Sequence, residues 1–135
     1  MEKLKSMLFE TKTVSSPEDV FSIARKVLSG VDREHLISMQ LDIKNNINSI
    51  STISIGSINS SIAHPREIFK AAILSNSASI ILIHNHPSND TTPSKEDIDI
   101  SLRVKESGKI LGIELLDHVV IGDDNYTSLR EKGLI

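Results

Sequence analysis

Apolar and polar positions follow two different periods along this chain, and the changes of period divide it into elements. Val20, Ile23, Ala24, Val27 and Leu28 recur at helical spacing, which makes one face of an amphipathic helix. Ser16-Pro17-Glu18-Asp19 opens that helix with an N-cap serine, a proline at the first helical position and acids in the first turn, and Gly30 closes it. The period then shortens to two: from Glu34 to Asp42, Leu36, Ser38 and Gln40 alternate with Ile37, Met39 and Leu41. Lys44-Asn45-Asn46 is a turn, and the isoleucine-rich run Ile47 to Ile58 predicts a second strand, so the two form a hairpin. Gly56 interrupts that run and marks a bulge or a close backbone approach.

His64-Pro65-Arg66-Glu67 reads as another helix start, with Ile68, Phe69, Ala72 and Ile73 behind it. Ser79 to Ile83 is short and continuously apolar, the signature of a central strand buried on both faces. A third helix starts at Ser94 and ends near Gly108, and extended segments follow at Ile110 to Ile113 and Leu115 to Ile121. Gly122-Asp123-Asp124-Asn125 turns the chain into Tyr126-Thr127-Ser128 and a short C-terminal helical turn. Residues 1–14 have no clean period and read as an edge strand or a docking arm. With no internal repeat or linker, the pattern predicts one α/β domain over residues 1–135, three helices around a central mixed sheet.

Composition narrows the chemistry. The chain has no cysteine, which removes disulfides, a thiol nucleophile and thiolate-held zinc. Its 18 acidic residues exceed its 15 basic ones by three, and its aromatic residues are only Phe9, Phe21, Phe69 and Tyr126. Neither a bulk attraction to phosphate backbones nor a base-stacking platform follows, so charge and aromatic content give no support to DNA as a partner. No apolar run has the length of a membrane span, and Met1-Glu2-Lys3-Leu4-Lys5 lacks the apolar core of a signal peptide. A soluble, cytoplasmic protein is expected; its oligomeric state is left open.

The chemically suggestive stretch is His84-Asn85-His86-Pro87, directly after the buried strand, followed by Ser94-Lys95-Glu96-Asp97. Side chains two apart on a strand share a face, so His84 and His86 reach one ion while Asn85 points away. Ser94 is the expected N-cap of the third helix, and Asp97 at N3 lies against the positive end of its dipole, ionised and available to metal. Two imidazoles and one carboxylate leave a fourth tetrahedral position open to water, the pattern of catalytic rather than structural zinc, with one ion per chain. Taken apart, a His-x-His pair and a Ser-x-x-Asp capping box need no metal. Rival spellings are absent: zinc deaminases need His-x-Glu with Pro-Cys-x-x-Cys, the metallo-β-lactamase pattern needs acid and histidine where Ser88 and Asn89 stand, and there is no His-Glu-x-x-His.

His84-x-His86-Pro87 with Ser94-x-x-Asp97 resembles the JAMM motif of JAB/MPN metalloproteases. The sequence around it is similar to the RadC-like branch in Asp32-Arg33-Glu34-His35, Ile58-Asn59-Ser60-Ser61, His64-Pro65-Arg66-Glu67, Leu116-Asp117-His118 and Ser128-Leu129-Arg130-Glu131. The resemblance runs from about Ser15 to the C-terminus and implies the cytidine deaminase-like JAMM/MPN architecture. It implies a zinc hydrolase that cleaves a peptide or isopeptide bond in a peptide or protein substrate, with His84, His86 and Asp97 as ligands. It places the general base at Glu34, with Glu67 in the first turn of the second helix as runner-up, and gives Ser94 a part in stabilising the oxyanion. Asp117-His118 is either a hydrogen-bonded polar pair or support for a ligand, and His64 reads as a helix-start residue. RadC-like chains usually have glycine where Asn89 stands, and asparagine is expected to keep the same left-handed turn. Longer relatives carry a helix-hairpin-helix region associated with DNA, which this sequence does not show. The alternative that the resemblance leaves is a DNA-repair-associated interaction module whose zinc site is structural or vestigial.

Overall fold

The computed structural model describes residues 13–58 and 63–135. The arm read at residues 1–14 therefore lies outside the described residues except for Thr13, which bridges to Asn46, and Val14, whose N–H donates to Asn45 O at 2.9 Å. Most of Ile58-Asn59-Ser60-Ser61 lies outside them as well.

Helix α1 (Pro17–Val27) leads into strands β1 (His35–Leu41) and β2 (Ile47–Ile55), then α2 (Pro65–Leu74), β3 (Ser79–Asn85), α3 (Lys95–Leu111), β4 (Glu114–Ile121) and β5 (Tyr126–Ser128). The sheet order is β2-β1-β3-β4-β5, antiparallel everywhere except the β3–β4 pair, which α3 connects as a parallel crossover. Strand β3 lies at the centre and all seven of its residues are buried, as its unbroken apolar run predicts.

Alternation along the strands makes two cores. Ile37, Met39, Leu41, Ile81, Ile83, Val119 and Ile121 face α1, while Leu36, Ile80, Leu82 and Leu115 face α2 and α3. The mixed α/β architecture expected from the sequence is thus a sheet covered on both faces. Among the described residues no helix is long and apolar enough to cross a membrane.

Several boundaries differ from the sequence reading. Strand β2 ends at Ile55 rather than Ile58. Gly56 is not a bulge: the register shifts fall at Leu36/Ile37 and Gln40/Leu41, and Gly56 ends the strand with φ +112, a left-handed conformation that favours glycine. The segment Ile110 to Ile113 is not extended, because α3 runs on to Leu111 and stops at Gly112 in the left-handed conformation. Strand β3 is longer than read and takes in His84 and Asn85, since Leu36 still pairs with His84 and Asn85 with Ile121.

Gly108, read as the helix end, lies inside α3, and its role is packing. A Cβ there would come 2.2 Å from Ile113 O and 3.4 Å from Phe69 Cζ, because the chain folds straight back from the helix into β4. Gly108→Ala is expected to cost about 1–3 kcal/mol, the range for overpacking a filled core, despite alanine's better helix propensity. Chemical denaturation of the variant beside its parent checks this.

Candidate metal centre

The site lies at the carboxyl end of the parallel pair β3–β4, where α/β sheets bind ligands. His84 is the sixth residue of β3 and lies on the α3 side, in step with Ile80 and Leu82. His86 follows one residue beyond the strand and stays in register because its N–H donates to Ile121 O at 2.9 Å. Asn89, in the loop that follows, adopts φ +67. It occupies the left-handed turn expected of it and accepts the Asp123 N–H at 2.9 Å.

The loop delivers Ser94 to the N-cap of α3. Its hydroxyl accepts the Asp97 N–H at 3.0 Å while Asp97 Oδ2 accepts the Ser94 N–H at 2.8 Å, a reciprocal capping box. Asp97 is fully buried. One of its oxygens meets His84 Nδ1 at 2.7 Å and the other meets His86 Nε2 at 3.2 Å. Burial works against this carboxylate, but hydrogen bonds from His84 and His86 outweigh it and hold Asp97 well below the usual carboxylate range. The same bond to Asp97 raises the pKa of His86 against its partial burial.

These contacts fix the imidazoles. A carbonyl or a carboxylate only accepts, so His86 donates from Nδ1 to Asp90 O at 2.8 Å and His84 donates from Nδ1 to Asp97 Oδ1. His84 then presents Nε2 as a lone pair for coordination, whereas His86 Nε2 donates to Asp97 Oδ2 at 3.2 Å and would give up that proton to hold a metal. His84 Nε2 is buried without a hydrogen-bond partner among the described residues, and the Glu34 carboxylate stands 4.0 Å from it. A lone-pair nitrogen left bare beside a carboxylate and a second imidazole is what a divalent cation fits.

Ligand atoms of Glu34, His84 and His86 lie within 4.8 Å of one another, and so do those of His84, Asp97 and His118. His84, His86 and Asp97, read together from the sequence, are neighbours through the two hydrogen bonds to Asp97, while the carboxylate grouped with the ligand atoms of both histidines is that of Glu34. Glu67 is not brought to the site. It is exposed at the start of α2 and pairs with Arg66 at 4.0 Å. His64 is the N-cap of that helix, its Nδ1 accepting the Arg66 N–H at 3.0 Å.

Asp117 accepts the His118 N–H at 2.8 Å, but the two side chains go different ways. Asp117 turns to the C-terminal turn, accepting the Ser128 hydroxyl at 2.5 Å and the Arg130 N–H at 3.1 Å. His118 packs behind the site, where Ser101 Oγ links its Nδ1 (2.5 Å) to the Asp97 carbonyl (2.7 Å). Burial pushes the His118 pKa down to about 4, so this ring is neutral at pH 7. Ser101 escaped the sequence reading; its only signal is its place one turn after Asp97 on the same helix face.

A cleft of about 670 Å³ is lined by Glu34, His84, His86 and Ser94 together with Arg33, Gly56, Ile58 and Glu96, among others.

A family model described as the RadC-like JAB domain matches residues 14–134. A protein of Desulforamulus reducens named UPF0758 protein is 50% identical over 134 residues, 98% of this chain and 59% of that protein. UPF0758 proteins of Methanosarcina mazei (45% identical, 98% of this chain, 58% of the relative) and Methanococcoides burtonii (51%, 92% and 54%) are similar too. The chain thus spans somewhat over half the length of these curated relatives, whose names state no activity. A match over nearly every residue, on a sheet and helices that bring the spaced histidines and serine to one cleft with the aspartate buried against both rings, makes the chain a member of the RadC-like JAB domain family.

Proposed function

We propose that this domain is a JAMM-type zinc metallohydrolase that cleaves a peptide or isopeptide bond. The observation that carries the reading is the buried, unpartnered His84 Nε2, with ligand atoms of Glu34 and His86 grouped around it within 4.8 Å and both rings held at Nδ1. His84 and His86 through Nε2 and Asp97 through its carboxylate would hold one zinc ion. Bound there, the ion supplies Lewis acidity and brings the pKa of water towards neutrality.

The chain's own groups do the rest. Glu34, partly exposed at the cleft wall, takes the proton of the attacking water at a carboxylate oxygen and returns it to the leaving amine. The Ser94 hydroxyl accepts the Asp97 N–H, so its own proton remains to be donated to the developing oxyanion. Ser94→Ala is therefore expected to lower turnover more than stability, the lost cap costing about 1 kcal/mol. Activity per folded molecule, set beside a denaturation curve, separates the two.

The test of the whole reading has two stages. Metal analysis of the purified protein and of His86→Ala is expected to show about one equivalent of zinc in the parent and loss in the variant. Incubation of the zinc-loaded protein with peptide and isopeptide-linked libraries, beside single- and double-stranded DNA, is then expected to give cleaved peptide only. A protein that binds zinc and cleaves nothing would favour the interaction-module alternative.

A further inference from the structure

We infer that Asn85 is a positioning residue: its carboxamide grips the chain on both sides of Glu34 and so sets that carboxylate against His84 and His86. The inference rests on the reading of Glu34 as the general base.

Backbone pairing between β1 and β3 runs from Leu41 with Ser79 to Leu36 with His84 and stops there. Beyond that rung the Asn85 side chain takes over. Its Oδ1 accepts the His35 N–H at 2.6 Å, and its Nδ2 donates to Arg33 O at 3.0 Å. Those peptide groups flank Glu34, and the asparagine between the two histidines is itself 8% exposed. On the other side, the Gly56 N–H donates to Glu34 O at 2.8 Å. The backbone at Glu34 is thus tied to β3 by a side chain and to the end of β2 by a main-chain bond.

Alternation explains why this leaves the chemistry free. Asn85 lies out of step with His84 and His86, so its amide works on the opposite face, while Glu34 is in step with Leu36 on the imidazole side. A primary amide offers one donor and one acceptor side by side, which matches a peptide carbonyl and a peptide N–H. Aspartate keeps only the acceptor, and alanine keeps neither. A general base at the first residue past a ladder's end would otherwise fray, and a misplacement of about 1 Å can cost on the order of a hundredfold in rate.

The test compares Asn85→Ala and Asn85→Asp with the parent as zinc-loaded full chains, using a substrate from the peptide libraries. In Asn85→Ala the His35 amide is expected to exchange about tenfold faster, the factor that one ordinary hydrogen bond is worth. Zinc affinity is expected to hold, and kcat to fall towards that of Glu34→Gln with KM unchanged. Asn85→Asp is expected to fall between alanine and parent in both readouts, and it carries the comparison should the alanine variant fail to fold. Unchanged kcat with a released His35 amide would overturn the inference, as would a loss of kcat that only tracks lost zinc. Full turnover in Glu34→Gln beside a released His35 amide in Asn85→Ala would refute Glu34 as the base, and with it the catalytic purpose of the grip, while leaving the grip itself in place.

Discussion

Replacing Asp97 with alanine is expected to lower zinc affinity by more than about a hundredfold, since even partners outside the ligand shell cost about 10–100-fold. Chelator competition measures it. Asp97 touches both imidazoles and also closes the capping box of α3. Its removal therefore deprives the ion of a ligand, leaves His84 Nδ1 unpaired in the interior and frees the Ser94 N–H. The unpaired buried donor alone costs about 1–3 kcal/mol, so the metal-free variant is expected to unfold at lower denaturant than its parent.

The pH dependence has a definite sign. The folded protein holds Asp97 below its ordinary pKa, so the unfolded chain binds the proton more readily. In the metal-free protein the stabilisation is present above the unfolded carboxylate value of about 4 and disappears as pH falls further. Denaturation curves between neutral and acidic pH are expected to converge for parent and Asp97→Asn at the acidic end.

Glu34→Gln is expected to keep zinc and lose turnover by a factor of about 10²–10⁴, the usual worth of a general base. The substitution preserves shape and the backbone bond from Gly56, and removes only the ability to take a proton. Because ligand atoms of Glu34, His84 and His86 lie within 4.8 Å of one another, zinc content is the discriminating measurement. Loss of metal in Glu34→Gln would make Glu34 a ligand and leave the proton transfer to another group. Glu67→Gln, at an exposed position paired among the described residues with Arg66, is expected to change neither quantity.

What can be read from the sequence is what depends on neighbours along the chain. The continuous run of β3, the Ser16 and Ser94 caps, the reciprocal bonds of Ser94 and Asp97 and the left-handed Asn89 are all decided within a few residues. Ile110 and Leu111 mislead because an apolar run suggests a buried strand, yet they are 87% and 49% exposed and simply finish a helix. Contacts between distant segments leave no local trace. Asn85 holds groups 50 and 52 positions away, and the second oxygen of Asp97 is committed to His84 rather than left for an ion. That Glu34 rather than Glu67 lines the cleft depends on how distant elements pack, which no local pattern records.

Helix α3 carries Asp97 in its first turn and Gly108 in its last, about 16 Å apart at the rise of an α-helix. The demands on its two ends are consequently of different kinds, electrostatic at one pole and steric at the other. Substitutions around Phe69, Gly108 and Ile113 are therefore expected to change the stability of the domain while leaving the residues that line the cleft in place.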